Sequence, residues 1–351
     1  MIKPAMLQPG DKVATVTSSW GGPATVPNRY AAGKKQLEDE FGLQVVEMPY
    51  TLKSAEWVYA NPKARAEDLM AAFADPTIKG IISTIGGDDS IRMLPYIDLD
   101  VIRANPKVYL GYSDSTITHM ICHKVGLTSF YGPSILSGFA ESGGMFPYMV
   151  ESVHKTLFST DAPGIIAPNT AGWTVEKTDW NDSDYQHKQR KLNPSTGWRW
   201  LQGDGAYRGP LIGGCIEVLD WLRGTDFWPD SHHWDGAILF LEASEDMPSP
   251  DAVWLYLRTY AALGILQKLS GILYARPGGQ IAPDKFEEYD EVLMQVVAIE
   301  EGLTHLPIVT NVDFGHTDPM LVLPYGTTAE IDCIKQQFSI LESGVACCID
   351  G

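Results

Sequence analysis

The sequence predicts an α/β fold: a mostly parallel N-terminal sheet flanked by helices, flavodoxin- or Rossmann-like, followed by a C-terminal mixed α/β domain. Three observations predict it. Short β-branched runs alternate with amphipathic helical stretches through the first half. Several runs end in glycines or small polar residues, as strands do where they turn into helices. The chain has 351 residues, enough for two cores at roughly 150 residues per domain.

Residues 12–18 form the first strand-like run, ending in the Gly/Pro-rich stretch 21–27. A helical stretch to Gly42 and a second apolar run, 43–48, follow. Residues 63–74 place Leu69, Met70 and Phe73 on one helix face, and Asp75-Pro76 stops that helix, because the residue before a proline is pushed out of helical geometry. The runs 80–87 and 107–113 are the next strands, and 115–124 the next helix. Their nearly continuous apolar character is that of parallel strands covered on both faces.

From 166 to 204 periodicity fails, and Trp173, Trp180, Trp198 and Trp200 stand among polar residues there. A loop of that length inside a compact chain is usually functional or disordered. Order resumes at 209–222, then a strand at 237–242, a helix near 251–263, a strand at 271–275, a helix near 284–301 and a strand at 307–313. The expected division is an N-terminal domain over 1–165, a connecting loop over 166–206 and a C-terminal domain over 207–351.

Charge and composition exclude several classes. Twenty-six basic and 44 acidic residues give a net charge of −18, a field that repels the phosphate backbone, so no nucleic-acid partner is expected. No apolar run reaches the roughly 18 residues of a membrane span, and residues 1–20 lack the pattern of a secretion signal. Cys122, Cys215, Cys333, Cys347 and Cys348 show no Cys-x-x-Cys spacing, which argues against disulfides and thiolate zinc. Reduced thiols in a cytoplasmic protein are the expectation.

Three polar residues stand at or just beyond the carboxyl ends of apolar runs: Ser113, Glu242 and His316. Ligands and catalytic groups gather at that edge of α/β sheets. A serine hydroxyl attacks an acyl group only when a neutral imidazole takes its proton, and an acid holds the imidazole's tautomer. Ser113 sits where a strand turns into a helix, near N–H groups that favour an oxyanion. The plain alternative is that Ser113 or Asp114 caps the helix. The pair Gly86-Gly87 either brings backbone N–H groups to a substrate oxygen or makes a simple turn. His119 and His123, four apart on one helix face, read more readily as helix or core residues than as zinc ligands, because no third ligand is evident. His232-His233 and Asp88-Asp89 read as surface turns, and Lys188, Arg190 and Lys191 as a solvated face that can meet an anionic substrate group. No metal and no cofactor are expected.

As a set, LQPGDKVATVTSS, ARAEDLMAAFADPTIKGIISTIGGDDS, YLGYSDSTITHM, GPLIGGCIEVL, ILFLEASED and DFGHTDPMLVLPYG resemble the LD-carboxypeptidase family of serine peptidases. The Trp-bearing insertion from Trp173 to Trp200 and the ending GHTDPM resemble its microcin C self-immunity branch more than its muropeptide-recycling branch. The resemblance implies Ser113 as nucleophile, Glu242 as orienting acid and His316 as base, with the backbone N–H groups of Gly87 and Asp114 as oxyanion hole beside Gly86. It also implies a homodimer. One departure is Cys215 after Gly213-Gly214, where the family is expected to carry an asparagine able to hold substrate.

The implied reaction is hydrolysis of an amide in a small peptide or peptide-nucleotide substrate, as in microcin immunity. The alternatives are removal of a terminal D-alanine from a muropeptide and a ligand-binding module without turnover. Trp180 and then Trp198 are the expected base-stacking rings, because both have polar neighbours, whereas Trp221 and Trp254 lie on apolar helical patterns. Activity is expected to rise as His316 deprotonates near neutral pH.

Overall fold

Alternation along the first strands decides the N-terminal architecture. In the computed structural model, which describes residues 1–182 and 184–347, Val13 and Ala14 enter different hydrophobic clusters, and so do Ile81 and Ile82. Successive side chains of a strand point to opposite faces, so both faces of this sheet are buried. The apolar runs are continuous for that reason.

Strands β1 (Lys12–Val16), β2 (Gln44–Glu47), β3 (Ile78–Ser83), β4 (Val108–Gly111) and β5 (Phe130–Tyr131) pair in parallel. The helix Pro62–Ala74 starts with proline at its first turn, where no N–H is needed, and buries Leu69 and Phe73. The remaining strands are β6 (Gly164–Ile166), β7 (Arg199–Gln202), β8 (Ala206–Cys215), β9 (Ile238–Glu242), β10 (Gly271–Ala275), β11 (Ile308–Val312), β12 (Leu323–Pro324), β13 (Thr328–Asp332) and β14 (Gln337–Ile340). The first sheet has the order β12-β5-β4-β3-β1-β2, and the second β6-β14-β13-β8-β9-β10-β11-β7. Within the second, β8, β9, β10 and β11 are parallel, so Glu242 and the residues after Val312 emerge at one edge.

The chain segments and the sheets do not coincide. The division expected at 165/166 falls inside β6, which pairs with β14, and β12 returns from the C-terminal part to pair with β5. The stretch expected as a loop over 166–206 contains β7, whose four half-buried residues carry no alternation but pair antiparallel with β11. That strand exists through its tertiary partner. The larger hydrophobic cluster runs from Ala14 and Ile81 through Ile117 and Ile216 to Leu239 and Ile272, joining both sheets. Among the described residues no helix is long and apolar enough to cross a membrane. Cys122, Cys215, Cys333 and Cys347 are free thiols; Cys348 lies outside the described residues.

Candidate active site

The residue after Tyr112 must leave β4 sharply, and Ser113 does so with φ of 61°, in the left-handed region that non-glycine residues seldom occupy. A short 3₁₀ turn, Ser113–Ser115, then leads into the helix Thr116–Lys124. Gly86 lies against this turn: a Cβ there would stand 2.9 Å from Ser113 Cβ and 3.3 Å from the Asp114 amide nitrogen. Only glycine leaves that space open. Asp114 is fully buried, and its carboxylate accepts from the Asp89 and Ser90 amides at 3.1 and 2.9 Å, which ties the 86–90 loop to the Ser113 turn. Asp89 in turn is gripped by Arg65 at 2.7 Å. Asp89 is thus half of a buried tie, whereas Asp88 is exposed as expected of a surface turn.

Ser113, His316 and Glu242 come together. His316 Nε2 is 3.0 Å from Ser113 Oγ, and His316 Nδ1 is 2.6 Å from Glu242 Oε2. Glu242 ends β9 and is wholly buried. Gly315 allows the approach, since a Cβ there would meet Glu242 at 2.7 Å. Tyr131 closes the arrangement: its hydroxyl accepts from the Ser113 amide at 3.0 Å and donates to Glu242 Oε1 at 2.5 Å. Burial, with Glu242 beside it, raises this phenol well above its ordinary value, so it stays a donor.

His316 differs from the neutral-pH expectation. Burial works to lower its pKa, but the carboxylates of Glu242 and Glu245 outweigh burial and hold the imidazole well above 6.5. Glu245 Oε2 lies 2.7 Å from Nε2, the nitrogen that also faces Ser113.

These groups open into a cavity of about 480 Å³ lined by Gly86, Gly87, Trp180 and Lys177 among others. Trp180 forms a half-buried wall, and the Arg29 guanidinium stacks on its ring at 4.3 Å. Arg29 Nε donates to the Leu136 carbonyl at 2.8 Å. Burial lowers the Arg29 pKa to about 10, which leaves it charged at neutral pH. Arg190, expected on a solvated face, is instead largely buried, paired with Glu141 and with Asp318, and lines the same cavity.

Other expectations are corrected. Trp198 stands apart from the cavity: it is 8 % exposed, packs near Phe338, and donates its indole N–H to Asp313 at 2.7 Å. Trp221, expected in the core, is 38 % exposed, and Trp254 is half-buried beneath Arg258. Polar neighbours in sequence say little about a ring whose burial depends on distant segments. Cys215 pairs opposite Glu242 in the β8–β9 ladder and is buried outside the cavity, its thiol donating to Glu217 at 3.3 Å. His119 is a core residue bonded to Ser129 and the Gly111 carbonyl, and burial lowers its pKa to about 3. Tyr131, Glu245 and Arg29 were not singled out from sequence; only the SED of ILFLEASED touched one of them.

Two family models match, the LD-carboxypeptidase N-terminal domain over residues 13–132 and the LD-carboxypeptidase C-terminal domain over 208–331. The chain belongs to the LD-carboxypeptidase family. It is accordingly a serine-type carboxypeptidase or amidohydrolase. The microcin C7 self-immunity protein MccF of Escherichia coli is 30% identical over 96% of this chain and 95% of its own length. The Bacillus subtilis protein named "Probable murein peptide carboxypeptidase" is 26% identical over 98% of this chain and 95% of its own. Among solved structures, a MccF-like protein from Streptococcus pneumoniae in complex with AMP superposes with a TM-score of 0.84 at 31% identity, covering 94% of this chain and 98% of that one. MccF in complex with glutamyl sulfamoyl guanosine gives 0.81 at 29% identity, covering 99% and 100%. Ser113, Tyr131, Glu242, Glu245 and His316 lie within the residues the two family models match, whereas Lys177, Trp180 and Arg190 lie between them.

Proposed function

We propose that this family member hydrolyses the amide bond between an aminoacyl or peptidyl group and a nucleotide-like moiety, using Ser113, His316 and Glu242. In this reading Ser113 Oγ attacks the carbonyl carbon while His316 Nε2 takes the hydroxyl proton. Glu242 holds the Nδ1–H and stabilises the imidazolium. The amides of Gly87 and Asp114 receive the oxyanion, and His316 then protonates the leaving nitrogen. Water enters by the same route and releases the acyl group.

The observation that carries the chemistry is the 3.0 Å contact between His316 Nε2 and a Ser113 held at positive φ. What supports the nucleotide-bearing substrate is Trp180, a half-buried ring on the cavity wall, since an aromatic face stacks on any base. MccF itself binds glutamyl sulfamoyl guanosine and aspartyl sulfamoyl adenosine. The muropeptide reading keeps one point in its favour, the Arg29 and Lys177 cations along the cavity, which suit a terminal carboxylate.

The test is a substrate panel holding an acidic aminoacyl sulfamoyl adenosine and a tetrapeptide muropeptide, followed by mass spectrometry. Faster cleavage of the conjugate is expected. Faster release of D-alanine would move the assignment to cell-wall recycling, and cleavage of neither would overturn both.

A further inference from the structure

We propose a second site, for a divalent transition metal of the zinc class, built from Asp230, His232 and His233 and closed by His123. One ligand atom from each of Asp230, His232 and His233 lies within 4.8 Å of the others. The 3₁₀ turn Ser231–Trp234 presents them, with the His233 amide donating to the Asp230 carbonyl at 2.9 Å and the fully buried Trp234 anchoring the turn. The His232 and His233 rings are 3.9 Å apart, centroid to centroid.

A separate observation comes from the helix Thr116–Lys124. His123 on that helix is 8 % exposed, and its ring meets His233 edge-on with centroids 4.7 Å apart. Both ring nitrogens of His123, and Nδ1 of His233, are buried without a hydrogen-bond partner among the described residues. Buried polar atoms ordinarily find one. His119, one turn earlier on the same helix, has two, Ser129 and the Gly111 carbonyl. Among the described residues nothing pairs these nitrogens of His123 and His233, and the two rings meet beside an exposed carboxylate and a third imidazole.

Imidazole and carboxylate together are the donor set of a borderline divalent ion, and zinc binds them tetrahedrally. Bonds of roughly 2.0–2.2 Å set neighbouring ligand atoms about 3.4 Å apart, so the Asp230, His232 and His233 atoms, within 4.8 Å of one another, stand near ligand spacing. The expectation of a mere surface turn at His232-His233 rested on sequence neighbours, and His123 comes from another element 109 residues away from His232 by number. The turn lies before the amino end of β9, whereas Glu242 stands at the carboxyl end of that strand. A bound ion would thus clip the turn to the helix that follows Ser113 and take no part in the reaction.

The test is calorimetric titration of the chelator-treated protein with zinc sulfate, paired with thermal melting. One equivalent of zinc should bind and raise Tm, and binding should weaken by about tenfold or more in His232→Ala, Asp230→Asn and His123→Gln. Because Asp230 and His232 are exposed, their variants keep the fold and the comparison remains meaningful. Absence of saturable binding, or equal affinity in the protein and the two exposed variants, would overturn the site. Peptidase activity lost on chelation and restored by zinc would overturn its structural role.

Discussion

Glu245 Oε2 stands 2.7 Å from His316 Nε2, the same nitrogen that faces the Ser113 hydroxyl at 3.0 Å. With Glu242 on Nδ1, the imidazole has a carboxylate at each end. An imidazole that donates at both nitrogens is protonated and accepts nothing from serine. Glu245 is exposed on the loop after β9, and the proposed reaction requires it to leave Nε2 before the serine proton is taken. Its own carboxyl, which burial would raise, is drawn down to about 2 by the neighbouring imidazole.

The pH profile follows from that pair. The rate constant kcat/KM should rise with pH through a midpoint above 6.5, because the base form of His316 is reached only above its raised pKa. Glu245→Gln removes one of the two negative neighbours and should move the midpoint down. A midpoint identical in the two proteins would mean that Glu245 does not act on His316 in solution.

Stability carries the same signature with the opposite slope. A histidine whose folded pKa is raised stabilises the fold while it is charged; the contribution is complete below 6.5 and is lost as pH rises through the folded pKa. Denaturant unfolding between pH 6 and pH 9 should show this loss in the parent protein and a smaller one in His316→Gln.

Ser113→Ala should reduce turnover by roughly 10⁴-fold or more, as for members of a unit that act together, while leaving Tm nearly unchanged. Full activity in this variant would remove the proposed nucleophile.

Tyr131→Phe deletes the hydroxyl that joins the Ser113 amide to Glu242. It leaves a buried carboxylate oxygen without its donor, at a cost of about 1–3 kcal/mol in stability. Because Glu242 is bonded to His316 Nδ1 and is proposed to orient it, kcat should fall and the pH midpoint should move, whereas KM should change little. A stability loss with kcat and midpoint intact would make Tyr131 a packing residue only.

Trp180→Ala should raise KM for a nucleotide-bearing conjugate by roughly one to two orders of magnitude, the equivalent of about 1–3 kcal/mol of stacking. A plain acidic dipeptide should be barely affected. Equal losses on both would show that the ring, with Arg29 stacked on it, supports the cavity rather than reading the base.

By itself the sequence determined the strand-helix order of the first half and the positions of Ser113, Glu242 and His316, because each follows an apolar run whose end is marked locally by glycine or a polar residue. Proline and β-branched residues act on their own backbone, so such boundaries are written within a few residues of where they fall. Tertiary structure alone decided that Trp180 faces the cavity while Trp198 is buried on Asp313, and that Tyr131 spans the Ser113 amide and Glu242. It alone paired β7 with β11 and brought His123 to His233. Tyr131 and Glu242 are 111 residues apart, and no local propensity encodes a contact across that distance; it forms when two sheets with their own buried faces pack through a shared core.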